Sequence, residues 1–144
     1  MSEYNAFDDF VARYRKNPVL FVQEVLVCEP DHWQKELMTA IASGERRCSV
    51  ASGHGIGKST GTSWLMLWFL LTRFPVKVVV TAPTSSQLFD ALFAELKRWI
   101  REMPNALQQL INVKSDRVEL IAAPSEAFIA AKTSRRDNPE SLQG

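Results

Sequence analysis

The residues Ser52–Gly53–His54–Gly55–Ile56–Gly57–Lys58–Ser59–Thr60, SGHGIGKST, decide how the rest of the chain is read. Three glycines at alternate positions let a backbone wrap closely around a ligand without side-chain clashes. A lysine and a hydroxyl residue follow at once. Before the stretch stands RRCSVAS, Arg46–Ser52, which reads as a short buried strand; after it comes an apolar run that reads as a helix through about Thr72. Strand, small-residue turn and helix N-terminus together form a phosphate cradle. The first N–H groups of a helix lack partners, and its dipole favours an anion there. In such a loop Lys58 neutralises β- and γ-phosphate charge, and Ser59 coordinates Mg²⁺. The strict pattern asks for glycine at position 52, where this chain has serine, a small replacement.

Gly53, His54, Gly55, Ile56, Gly57, Lys58, Ser59 and Thr60 are therefore the candidate nucleotide-binding residues, with ATP and Mg²⁺ as cofactors. His54 is read either as approaching the γ-phosphate or as facing solvent. Thr60 either reinforces Ser59 near the phosphates or is only a first-turn helix residue.

Working outward, the pattern continues as an α/β chain. WLMLWFLL, Trp64–Leu71, is far shorter than the roughly 20 apolar residues a membrane span needs, so a buried core helix is expected. VKVVVTAP, Val76–Pro83, is β-branched and nearly unbroken in apolarity, as a buried parallel strand should be. Thr84 and Gln87 have capping-box spacing, and Leu88, Leu92, Leu96, Trp99 or Ile100, and Met103 then mark one helical face. Further on, NVKSDRVELIAAP suggests a hairpin turning at Ser115–Asp116, and EAFIAAKT another strand.

Upstream lie three helical segments. Tyr4, Phe7, Phe10, Val11 and Tyr14 recur at helical spacing. Asn17–Pro18 opens a second helix, with Pro18 in its first turn and Leu20, Phe21, Val25 and Leu26 as apolar residues. Asp31 and Gln34 form a capping box for a third, whose expected core stripe is Trp33, Leu37, Ala40 and Ile41, and which Gly44 ends. Residues 1–44 thus form an N-terminal helical segment, and residues 45–144 part of a P-loop core with a parallel sheet flanked by helices.

Bulk properties agree with a globular chain: 46% of its residues are hydrophobic and 23% charged, with a formal net charge of +1. That charge does not itself select a nucleic-acid or membrane partner. Cys28 and Cys48 have no metal-ligand spacing and read as buried free thiols in a reducing cytoplasm.

The loop SGHGIGKST, the strand end TAPT at Thr81–Thr84 with Gln87 after it, and WQKEL at Trp33–Leu37 occur in this order. Together they resemble the ATPase domain of large terminase subunits, the DNA-packaging motors of tailed bacteriophages and prophages. NPESLQG, which ends at Gly144, is similar to the segment before the acidic strand in that family. The resemblance runs from about Asn17 to Gly144. It implies a RecA-like core, cytoplasmic location in a bacterial host, double-stranded DNA, a small terminase subunit and a portal protein as partners, and oligomerisation on a capsid. It also implies that Gln34 reads the adenine edge, against its capping role, and that Thr81, Ala82 and Pro83 couple nucleotide state to DNA, against plain turn chemistry. Arg135 and Arg136 stand open between phosphate sensing and a solvated pair; Arg46 and Arg47 read as solvent-facing.

Two departures from the family pattern bear on activity. No arginine lies between Ala51 and Lys58, where many members carry one. Nor does any apolar run end in Asp-Glu, the pair that holds Mg²⁺ and orients the attacking water. Asp90, Glu119 and Glu29 each lack the required setting. The expectation is an N-terminal piece that binds nucleotide and hydrolyses it poorly alone, the full protein packaging and cutting DNA. Two alternatives stand beside it: a helicase-like P-loop ATPase of another role, and a non-catalytic prophage remnant.

Overall fold

The computed structural model describes residues 6–44, 56–82 and 86–133. The helices run α1 Ala6–Tyr14, α2 Pro18–Glu24, α3 His32–Ala42, α4 Ile56–Thr72, α5 Ser86–Glu102 and α6 Asn105–Gln108. The strands are β1 Val76–Ala82, β2 Ile111–Val113, β3 Arg117–Leu120 and β4 Ala127–Thr133. The described part is thus mixed α/β.

The sheet corrects the expected parallel arrangement. Its strands lie in the order β1-β4-β3-β2, and only β1 and β4 run parallel. β3 pairs antiparallel with both β4 and β2. The cause is the hairpin itself. The Ser115–Asp116 turn reverses the chain as expected, with the Lys114 N–H donating to the Arg117 carbonyl at 2.7 Å. That hairpin then joins the edge of β4, which imposes opposite directions on neighbouring strands. The expected strand at 46–52, with Cys48, lies outside the described residues.

Ile129 anchors the sheet. It is fully buried, with Val78 opposite it on one side and Val118 on the other. Because side chains alternate along a strand, Val76, Val78 and Val80 share its face, as do Ala127 and Ala131. α4 packs on β1 and β4 and also touches α1, α2 and α5. It is therefore apolar nearly all round, with Trp64, Leu67, Trp68, Leu70 and Leu71 all buried. No helix of the described residues is long and apolar enough to cross a membrane.

The N-terminal helices follow the expected pattern with one correction. Phe10, Tyr14 and Phe21 meet edge to face, ring centroids 4.8 to 6.2 Å apart, joining α1 to α2. On α3, however, Trp33, Leu37, Ala40 and Ile41 are only half-buried. The buried residues are Met38 and Gln34. A polar residue thus occupies one of the most buried positions of this helix, which obscures its period in the sequence. Gly44 takes a φ of 98° after α3, the left-handed conformation expected of a glycine at a helix end. Cys28 is a free thiol, half-buried rather than fully buried. Burial pushes its pKa up, which disfavours thiolate chemistry.

α5 carries the expected apolar face, with Leu92, Leu96, Trp99 and Ile100 buried, Phe93 added to them and Met103 buried just past the helix end. Asp90, Arg101 and Glu102 are exposed.

Candidate functional site

The site is built on the start of α4. Gly53, His54 and Gly55 lie outside the described residues, as do Arg46, Arg47, Pro83, Thr84, Arg135 and Arg136. The backbone of Ile56, Gly57, Lys58 and Ser59 forms the first turn of α4, with Thr60 following in the helix. Lys58 thus lies among the first helical residues, whose N–H groups have no carbonyl partner four residues back in the helix, and Ser59 follows it. α4 has 17 residues and no acidic residue in its first turn, so its own sequence sets no carboxylate against an anion there. These features fit a phosphate group.

Two other helices hold this end of α4. From α5, Glu95 Oε2 accepts a hydrogen bond from Thr60 Oγ1 at 3.2 Å and another from Trp99 Nε1 at 2.9 Å. Glu95 Oε1 lies 3.7 Å from Arg98 Nη1, which offsets its charge. The Arg98 guanidinium also sits 4.9 Å from the centre of the Trp99 ring. One turn along α4, Trp64 meets Trp99 edge to face at 5.4 Å between ring centroids. Trp64 is 2% exposed, and its Nε1 has no hydrogen-bond partner among the described residues.

From α3, Gln34 approaches Gly61. A methyl group at Gly61 would stand 3.8 Å from both Cγ and Nε2 of Gln34. Gln34 is 4% exposed, and its Oε1 accepts the backbone N–H of Asp31 at 2.8 Å. The capping box expected from the spacing is therefore formed. Its location matters as much as its geometry, because the residue that caps α3 also abuts the second turn of α4.

The far end of α4 is also secured. Arg15 Nη1 donates to the Thr72 carbonyl at 3.1 Å, placing a cation at the helix C-terminus. Arg73 lies 4.2 Å from the Trp68 ring centre, and the Trp68 indole N–H donates to the Tyr14 carbonyl.

Glu95 was not a candidate in the sequence. Its spacing to Trp99, four residues along α5, was the one local signal; Thr60 lies 35 residues away. Asp90 is exposed on α5, and Glu119 is tied into β2 and β3, away from α4. Among the described residues no group of three or more His, Cys, Asp or Glu could hold a metal ion.

The fold and the start of α4 at Ile56 describe a mixed α/β chain with a candidate anion site at one helix start. Among known proteins, one named "Probable terminase, large subunit", of Enterobacteria phage P7, is 26% identical to this chain over 140 residues. The match covers 94% of this chain and 28% of that protein, so the chain spans little more than a quarter of its relative's length. No protein-family model matches the chain, and no solved structure does.

Proposed function

We propose that the chain is the nucleotide-binding part of a terminase large subunit. Lys58 and the N–H groups of the Gly53–Gly57 loop grip the phosphates of ATP, Ser59 holds Mg²⁺, and Gln34 turns from its cap on α3 to meet the adenine. The observation that supports this reading is the beginning of α4 at Ile56, with Lys58 and Ser59 in its first turn. Similarity along 94% of the chain to a probable terminase large subunit supports the wider assignment.

Bound ATP with Mg²⁺ would supply a phosphoanhydride bond whose hydrolysis drives movement. The residues of this chain contribute binding and orientation. In the proposed whole protein that energy moves double-stranded DNA into a capsid, with a small terminase subunit and a portal protein as partners. The P-loop ATPase core, its RecA-like sheet and the oligomer on the capsid belong to the same proposal.

Equilibrium dialysis with labelled ATP and Mg²⁺ tests it. Saturable binding that Lys58→Ala abolishes is the expected result. Binding unaffected by Lys58→Ala, or none by the unmodified chain, overturns it in favour of a non-catalytic role.

A further inference from the structure

Thr60 holds a hydroxyl beside the proposed phosphate site, and the direction of its hydrogen bond determines what it can do there. Its partner is the carboxylate of Glu95, 3.2 Å away. An ionised carboxylate only accepts, so the hydroxyl is the donor. A hydroxyl has one proton. The phosphate oxygens of Mg²⁺-bound nucleotide are themselves acceptors. While Thr60 is bonded to Glu95, it cannot also donate to a phosphate.

We propose that Glu95 is a positioning residue for the nucleotide site, acting through Thr60 to fix the rotation of α4's first turns. On this assignment Thr60 is not a phosphate ligand. The inference rests on the nucleotide reading given above. Thr60 and Trp64 are four residues apart and lie on one face of α4. The same Glu95 oxygen that receives Thr60 also receives the indole N–H of Trp99, which meets Trp64. Glu95 and the Trp99 ring it holds therefore join two successive turns of α4 to α5. Gly61, about 100° further around the helix from Thr60, faces Gln34 of α3. Turning α4 about its axis would disturb both contacts, and it would swing the N–H groups that precede them.

The test is titration of the 144-residue chain with a fluorescent ADP analogue and Mg²⁺, followed by anisotropy. Glu95→Ala should weaken binding about tenfold, the upper end of what losing one hydrogen bond costs. Glu95→Gln keeps an oxygen that accepts from both Thr60 and Trp99, and should stay within about twofold of the parent. Thr60→Val should match Glu95→Ala, and the double variant should be no weaker than either single one. Rescue by Gln separates positioning from general destabilisation, and thermal midpoints check that each variant is folded.

Parent-like affinity in a folded Glu95→Ala overturns the proposal, as does Glu95→Gln as weak as Glu95→Ala. Loss in Thr60→Val as complete as in Lys58→Ala would make Thr60 a phosphate contact and also overturns it. No binding by the parent, or full binding by Lys58→Ala, overturns the nucleotide reading and this inference with it. Binding that needs Lys58 but ignores Glu95 overturns this inference alone.

Discussion

Gly61 faces Gln34 across the junction of α3 and α4, close enough that a methyl group at position 61 would touch Gln34 Cγ and Nε2, each at 3.8 Å. That is ordinary van der Waals distance. Among the described residues nothing requires the glycine by space, and it sits inside a helix, where glycine costs about 0.5–1 kcal/mol relative to alanine. Gly61→Ala should stabilise the chain by that amount, raising the thermal midpoint by about 2–4 °C. Gly61→Leu should do the opposite, because its longer side chain has to displace Gln34 from its cap. Thermal unfolding of the two variants followed by circular dichroism checks both signs.

Val27 carries strain that a single substitution relieves. Its φ is 54°, in the left-handed region, where a β-branched side chain is a genuine outlier. It is 77% exposed, so little burial repays that conformation. The position closes the end of α2, where the Cys28 N–H reaches the Val22 carbonyl at 3.2 Å. Left-handed geometry costs a non-glycine residue about 1–2 kcal/mol, and part of that gain is offset by glycine's larger entropy in the unfolded chain. Val27→Gly should be net stabilising by about 0.5–1 kcal/mol, and Val27→Asn should act in the same direction. Urea midpoints with an unchanged slope are the measurement.

Glu119 makes the sheet sensitive to acid. It is buried on β3 and accepts from Arg117 Nε at 2.7 Å and Asn112 Nδ2 at 3.2 Å, with Lys114 Nζ at 3.6 Å. The hydrogen bond from Arg117 is the chief cause holding its carboxyl below the usual carboxylate range; burial opposes the shift, and Asn112 and Lys114 add to it. A carboxyl whose folded pKa is depressed contributes stability fully above its unfolded value of about 4.3. That contribution is lost as pH falls through the folded value. Glu119→Gln should therefore lower the urea midpoint at pH 7, and the gap from the parent should close at acidic pH. A constant gap across pH would show that the carboxylate charge contributes nothing.

Much of this architecture could be read from local pattern, and the failures have a common cause. The four helices at 6–14, 18–24, 32–42 and 86–102, the 115–116 turn and the end of α3 at Gly44 are set by residues within a few positions of each other. The mixed direction of the sheet is not: it depends on β3 pairing with β4 rather than on either strand's composition. α6 has only four residues, too few to show a period. On α3, Gln34 was legible as a cap but not as a buried contact of α4, since Gly61 is remote in the chain. Glu95 has the same character, an ordinary polar residue of an amphipathic helix until Thr60 is brought to it.

Gln34 offers the clearest separation of a structural role from a functional one. Its Oε1 caps α3 by accepting the Asp31 N–H, and under the proposed function the side chain exchanges that cap for the adenine edge. Glutamate at the same position keeps an accepting oxygen, is the usual partner in a capping box, and places a negative charge favourably at a helix N-terminus. It cannot donate the amide hydrogen that recognition of adenine requires. Gln34→Glu should therefore keep the cap but lose stability at neutral pH, because the position is only 4% exposed and a carboxylate there is desolvated, while Gln34→Ala loses the cap itself. Both should lose any preference for ATP over GTP in competition against a fluorescent nucleotide. Preference retained by Gln34→Glu would leave Gln34 a capping residue alone, whereas Gln34→Glu as stable as the parent at neutral pH would mean that the buried position opens to solvent.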